Sequence, residues 1–332
     1  MGKTLDVIIP VSGNVNRVPD TVKSIKDQSL KFDSLIIVTK SRKAEEKLKT
    51  VLPQEEGIVY TVAGSGYPGM LYNRALSLSK ADFVLFVSPG AIPESCDAAA
   101  HMMEAFSDEK TAAVYANLVP SPHAKKTDQA RQSFWFGERS LFYDLTAVGL
   151  FGMKAFMHSN IFAMYKREAL RDIGPFENEC ISRTEYIWCA KAIYAGKRLL
   201  YDADARVNCS FSVNGMAAFR KSFDLGALQT MYAQVFGTAN DPSMQPFIRK
   251  NGDVIPVFGP ELKEMYQAQL KYALKTLNGI GSIPDRLKLR LTCFLEKRGA
   301  FLGKYYYRLP VKLIIRCSEK KAYWDSLKLV NR

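Results

Sequence analysis

No pair of cysteines in this chain is spaced as Cys-x-x-Cys, and only three histidines occur in 332 residues. The six cysteines (Cys96, Cys180, Cys189, Cys209, Cys293 and Cys317) are scattered, and none stands near a histidine at zinc-ligand spacing. This argues against a zinc module and for reduced, structural thiols in a cytosolic protein. No apolar run reaches the roughly 18 uninterrupted residues of a membrane span. The opening MGKTLDVIIPV enters a strand without a signal-peptide pattern. The expectation is a chain that is soluble or peripheral to a membrane. No internal repeat is visible.

Hydrophobic residues make up 47% of the chain and charged residues 24%. Those are ordinary globular values, and the length suits one large α/β domain with an appendage, or two domains. The charge is less ordinary. The net value is +13, and from Glu261 to Arg332 there are 16 Lys and Arg against 6 Asp and Glu, so this last fifth supplies +10. Such a region can face nucleic acid, an anionic membrane or a phosphorylated substrate, or be a solvated helical surface. No nucleic-acid recognition motif accompanies the charge, so no nucleic-acid partner is expected.

Strand and helix signals alternate through the first half. LDVIIPV (5–11), SLIIVT (34–39), GIVYTV (57–62) and DFVLFV (82–87) read as strands. Between them lie helical stretches that start at Asp20, at 43–52 and at 69–80. Near-continuous apolar strands spaced by helices predict βαβ units and a mainly parallel sheet buried on both faces. A helix at 94–107 and a strand at 111–119 follow. Residues 154–176 read as strand, helix and turn, and 183–207 as helix then strand. Four prolines and three glycines between Gly237 and Pro260 mark a linker, with helical segments at 261–278 and after Pro284.

The stretch FVLFVSPGAIP (83–93) poses the functional question. In an α/β fold the loop after such a strand commonly carries an essential acid, and Ser88-Pro89-Gly90 carries none.

Several stretches, in order, resemble the family 2 glycosyltransferases of the GT-A fold. They are DVIIPVSGNVNRVPDTVKSIKDQS with its Ser24 and Gln28, LYNRALSLSKADFVLFVSPGAIP, HSNIFAMYKREALRDIGPFEN and RTEYIWCAKAIYAGKRLLYDADARV. FRKSFDLGAL (219–228) and LGKYYYRLPVKLIIRCSEKKAYW (302–324) resemble the bacterial rhamnosyltransferase branch. The resemblance implies a GT-A domain over 1–236, the Pro/Gly-rich linker over 237–260 and a basic helical region over 261–332. It also implies a nucleotide-sugar donor, dTDP-L-rhamnose, bound across the carboxyl ends of the strands. The acceptor would be a glycan or a lipid-linked glycan, with transfer by inversion in cell-surface polysaccharide synthesis. A carboxylate would remove the acceptor's proton. A divalent ion, Mg²⁺ or Mn²⁺, would stabilise the leaving diphosphate from an acidic Asp-x-Asp loop.

The chain departs from that pattern at telling places. Ser88 and Gly90 stand where the acidic loop is expected, so no metal ligand is assigned. Thr39 replaces an acid expected against the base, and Cys209-Ser210-Phe211 replaces a His-x-His. Tyr72-Asn73 stands for Arg-Asn, which leaves Asn73 as the match. Thr184-Glu185 stands for Glu-Asp, so Glu185 is the candidate base, one methylene longer than the aspartate it replaces.

The resemblance implies donor contacts at Pro10, Ser12, Thr39, Asn73, Ser88 and Gly90, and acceptor-side contacts at His158, Asn160 and Trp188. Arg220 and Lys221 are candidates to grip the diphosphate in place of a metal, or are solvated. Glu185 is either a base or an acid favouring a helix N-terminus capped by Thr184. Ser88-Pro89-Gly90 is either a donor loop or a plain turn. His158 is either an acceptor contact or a buried, hydrogen-bonded side chain. Tyr305, Tyr306, Tyr307 and Trp324 suit the inner face of the plasma membrane, or pack inward. The expected protein is a cytoplasmic glycosyltransferase. The alternative is an inactive homologue that scaffolds a glycan-assembly complex.

Overall fold

The computed structural model describes residues 3–13, 15–52, 57–122, 124, 129, 139–151, 155–209, 215–237, 283–321 and 323–324. The expected linker beyond Gly237 and the expected helix at 261–278 lie outside these. Two compact units result. The first comprises Met1–Pro122, Gln132–Cys180 and Thr184–Ser210, and the second His123–Arg131, Ile181–Arg183 and Phe211–Arg332.

The first unit is a nine-stranded sheet flanked by helices. Its elements begin β1 (Leu5–Val11), α1 (Val18–Lys26), β2 (Ser34–Thr39), α2 (Arg42–Val51), β3 (Ile58–Val62), α3 (Pro68–Leu76), β4 (Phe83–Val87) and β5 (Ile92–Pro93). They continue α4 (Ala98–Glu104), β6 (Thr111–Pro120), β7 (Leu141–Tyr143), α5 (Leu145–Phe151), β8 (Phe162–Lys166), α6 (Arg167–Ile173), α7 (Thr184–Tyr194) and β9 (Arg198–Cys209). The strand order is β3-β2-β1-β4-β8-β6-β9-β5, and β7 pairs with β9. Pairings among β1–β4 and between β6 and β9 are parallel, whereas β8 runs antiparallel to β4 and β6.

All of β1 and β4 is buried, as continuous apolar runs between two helical layers must be. β3, at the sheet edge, alternates in exposure. The chain leaves β1 towards β2 and β3, then returns to place β4 on the other side of β1. That reversal puts a topological switch point at the carboxyl ends of β1 and β4, the place where open α/β sheets take ligands.

Polar side chains bracket this core. Gln28 donates to the Ser95 carbonyl (3.0 Å) and accepts from Ala99 N–H (3.0 Å), tying the end of α1 to the start of α4. Buried Asp6 accepts from Lys80 N–H at 3.2 Å. All six cysteines are free thiols, four of them buried.

The second unit is helical: α8 (Gly215–Gly237), α9 (Ile283–Lys304) and α10 (Val311–Cys317). α8 and α9 run parallel in tight contact. A Cβ at Gly226 would stand 2.2 Å from the Ala300 carbonyl oxygen, and one at Gly303 would stand 2.1 Å from that of Phe223. Only glycine permits such backbone approach. Asp224 on α8 accepts from the Ser318 hydroxyl and from Glu319 N–H (3.0 Å). Trp324 is buried, with its ring 5.2 Å from Tyr306 and 6.4 Å from Phe223. Tyr305 and Tyr307 are exposed, with the Arg308 guanidinium 5.5 and 5.4 Å from their ring centres. Of the four aromatics, at least Trp324 therefore packs inward. Among the described residues no helix is long and apolar enough to cross a membrane.

Candidate active site

The loops that leave the parallel strands β1, β2, β3 and β4 share one edge of the sheet, with the switch point between β1 and β4. Pro10 is buried within β1 opposite Val38, and Ser12 is exposed just beyond it. Thr39 ends β2, fully buried, with its hydroxyl donating to the Ser41 carbonyl at 3.1 Å. Ser88 is half-buried. Its N–H donates to the Ile161 carbonyl (2.8 Å), and its own carbonyl accepts from Ala91 N–H (3.0 Å), which closes a turn. Gly90 has φ +89°, a left-handed conformation that disfavours any side chain.

Arg17, to which the sequence drew no attention, lies over that turn. A Cβ built on Gly90 would stand 2.9 Å from Arg17 Cδ and 3.1 Å from its Nη1. No residue of 12–17, 40–41, 63–67 or 88–91 is acidic, while Arg17 and Lys40 are cationic. Among the described residues no group of three or more His, Cys, Asp or Glu is placed to hold a metal ion. Hard divalent ions need anionic oxygen ligands, and these loops supply none. The residues present do not fit a metal at this edge.

Glu185 stands in the first turn of α7, buried at 3% exposure. Thr184 begins the helix and donates its hydroxyl to the Glu177 carbonyl at 3.0 Å. The Glu185 carboxylate is close enough to raise the pKa of both the Tyr165 phenol and the Cys189 thiol, though burial is the larger cause for each. Tyr165 is the centre of an aromatic cluster. Its ring lies 5.0 Å from Trp188, 5.6 Å from Phe176, 5.6 Å from Phe86 and 5.3 Å from His158.

The remaining candidates sit around this cluster. Asn73 on α3 holds the turn at 174–178: its amide donates to the Phe176 carbonyl (2.7 Å) and Asn178 Oδ1 (2.8 Å), and its oxygen accepts from Phe176 N–H (3.0 Å). Gly69 lets that turn approach, since a Cβ there would stand 1.9 Å from the Glu177 carbonyl oxygen. Trp188 is enclosed and donates its indole N–H to the Gly174 carbonyl at 3.1 Å.

Asn160 is buried and accepts from the Tyr165 hydroxyl, while its amide nitrogen has no partner among the described residues. His158 is buried beside Tyr115 at 4.6 Å, and neither ring nitrogen is hydrogen-bonded among the described residues. Burial pushes its pKa down to about 3, so the imidazole is neutral. The expectation of a hydrogen-bonded histidine thus fails on the bonding and holds on the burial.

In the second unit, Arg220 is half-buried on α8, with its Nε enclosed and without a hydrogen-bond partner among the described residues; Lys221 is exposed. The structure therefore groups Glu185, Asn73, His158, Asn160 and Trp188 around Tyr165 and the 174–178 turn. It places Pro10, Ser12, Thr39, Ser88 and Gly90 along the strand ends. Tyr165, Gly69 and Arg17 were not marked by the sequence.

Folds of this build are those of GT-A-type glycosyltransferases. The mannosyltransferase PcManGT of Pyrobaculum calidifontis, solved with GDP-Man and Mn²⁺, superposes on the whole of this chain and 87% of its own with a TM-score of 0.54, at 14% identity. No protein-family model matches the chain. In sequence it is 24% identical over 325 residues to the O-antigen chain rhamnosyltransferase RfbN of Salmonella typhimurium, covering 97% of this chain and 96% of that one. It is 28% identical over 256 residues to the O-antigen chain rhamnosyltransferase WbaN of Salmonella anatum, covering 77% and 75%. These relatives, one over nearly full length and one over about three quarters, support a glycosyltransferase of surface-polysaccharide synthesis.

Proposed function

We propose that the chain transfers L-rhamnose from dTDP-rhamnose to a hydroxyl of a glycan or lipid-linked acceptor, with inversion at the anomeric carbon. The observation that carries this reading is similarity across 97% of the chain to a relative named as a rhamnosyltransferase. The resemblance of Thr184-Glu185 to a catalytic acidic pair adds the residue. Glu185 takes the proton of the acceptor hydroxyl as that oxygen attacks the anomeric carbon, and the nucleoside diphosphate departs. Tyr165 and Cys189 stay neutral at pH 7 because burial raises their pKa values, so both meet the carboxylate as dipoles and not as competing anions. Trp188, Asn73 and Gly69 hold the head of α7 and the 174–178 turn in register around it.

The test is turnover of dTDP-rhamnose, with UDP- and GDP-sugars as comparisons, by the full chain. Glu185→Gln should lower release of dTDP by about 10³-fold, and Glu185→Asp by about 10²-fold because the carboxylate retracts by about 1 Å. Unchanged turnover in Glu185→Gln removes the assigned role. A product retaining the donor's anomeric configuration by NMR removes inversion. The acid-free loops favour a second reading, an inactive scaffold; it requires that no donor sugar be turned over at all.

The second unit fits a location at an anionic membrane. Leu287, Leu291, Phe294 and Phe301 are all exposed on α9 at spacings of four, three and seven residues, which form one helical face. The span from Ile283 to Trp324 carries 11 Lys and Arg against 3 acids, the complement of anionic headgroups. Co-sedimentation with anionic vesicles should be lost in Leu291→Glu and weakened by salt. Equal binding to neutral vesicles would refute the electrostatic part.

A further inference from the structure

We propose that Arg17 stands where a GT-A enzyme would use a divalent metal, receiving the donor's diphosphate directly and making donor binding independent of divalent cations. This rests on the transferase reading above and adds to it the group that neutralises the leaving diphosphate.

Three independent observations converge on Arg17. The first is its place in the topology. It ends the loop that leaves β1, opposite the loop that leaves β4, across the point where the strand order reverses. A diphosphate bound at that edge meets both loops. The second is the chemistry of the edge. The four loops from β1–β4 contain no carboxylate, so a metal would have no anionic ligand there, while a diphosphate would find cations.

The third is the geometry of the Gly90 turn. Arg17 fills the space that a side chain at Gly90 would occupy, and Gly90's φ of +89° independently keeps a side chain out. The position that a metal-binding acid would take is thus given over to a guanidinium. A hydrogen-bonded relay fixes the juxtaposition. Gly90 N–H donates to Thr21 Oγ1 (2.8 Å), and the Thr21 hydroxyl donates to the Arg17 carbonyl (3.0 Å). Thr21 is fully buried, so the relay is shielded from water.

The guanidinium itself is accessible. Arg17 is exposed and enters none of the ion pairs formed among the described residues. Its planar fork matches two oxygens of a diphosphate at once. Because the relay fixes its backbone beside the Gly90 turn, its guanidinium is within reach of that edge to stabilise the negative charge that grows on the diphosphate as the glycosidic bond breaks.

The test is calorimetric titration of the full chain with dTDP, GDP and UDP, in EDTA and again with Mn²⁺, alongside thymidine as a ligand without phosphates. The expected result is equal affinity for the preferred nucleoside diphosphate in EDTA and in Mn²⁺. Arg17→Ala should weaken that affinity by at least tenfold and leave thymidine binding unchanged, while Arg17→Lys should retain part of it. Melting temperatures within error of the parent would show that both variants fold. Loss of binding in EDTA, or undiminished dTDP binding in Arg17→Ala, overturns the proposal. If the parent turns over donor while Arg17→Ala binds and turns over equally well, only this inference falls. If the parent binds no nucleoside diphosphate, the transferase reading falls with it.

Discussion

The two compact units solve the problem of holding a core by opposite means. The first buries apolar strands on both faces and uses polar side chains, such as Gln28, Asn73 and Asp6, as brackets between elements. The second has a parallel pair of helices whose backbones touch through glycines, with one carboxylate, Asp224, buried among them. The contrast shows that similar-looking motifs can carry different physics. In the first unit the resemblance motifs mark hydrogen-bonded joints; in the second, DLGAL and LGK mark points of steric contact through Gly226 and Gly303.

The sharpest way to exploit the contrast is pH. His158 is held neutral with its pKa near 3, far below its ordinary value of about 6.5. As pH falls from about 6.5 towards 3, the unfolded chain binds a proton that the folded one does not. The first unit therefore loses up to about 5 kcal/mol over that window. Asp224 is the reverse case: burial raises its pKa to about 6, against hydrogen bonds from Ser318 and Glu319 that favour the anion. As pH rises from about 4 to 6, the unfolded chain releases a proton that the folded one keeps, and the second unit loses about 3 kcal/mol. Acidification to pH 4 should therefore weaken the first unit and strengthen the second, as read by hydrogen exchange resolved by segment. His158→Phe and Asp224→Asn should each flatten the slope of their own unit. Two units that shift in the same direction would contradict both assignments.

Glycine contacts offer a comparably local break. Gly69→Ala in the first unit and Gly303→Ala in the second each drive a Cβ into a backbone carbonyl, at 1.9 and 2.1 Å. Each should cost about 3 kcal/mol or more in denaturant unfolding of its own unit. Gly66→Ala is the control. The nearest atom to its added Cβ is Lys40 Cδ at 3.9 Å, so its midpoint should not fall.

A smaller effect tests the packing around α7. Trp188→Phe leaves the Gly174 carbonyl without its indole donor, and should destabilise the first unit by about 1–3 kcal/mol. At the bottom of the scale, Leu291→Gln on the exposed face of α9 should change stability by less than about 0.5 kcal/mol while reducing vesicle binding.

Much of the first unit was legible in the sequence. LDVIIPV and SLIIVT became strands with the expected ends, because parallel strands covered on both faces read as largely apolar runs. The two-residue β5 and three-residue β7 were not legible, since pairings that short leave no periodic signal. The full extent of α8 was also hidden. What joins it to α9 is contact between glycines far apart in sequence. Within the site, Glu185 and Asn73 were found by resemblance. The reading of Asn73 as a donor contact did not foresee that both ends of its amide are engaged by the 174–178 turn.

From residues alone came the sandwiched parallel sheet and the absence of any acid in the loop after β4, because burial on two faces and missing carboxylates are both written in local composition. Which cation lies over that loop was decided by tertiary structure. So was the role of polar side chains such as Asn73 and Gln28 as joints, and the isolation of His158 and Asp224 from water. Each depends on residues brought together by chain reversal and close backbone approach, and no window of adjacent residues encodes such distances.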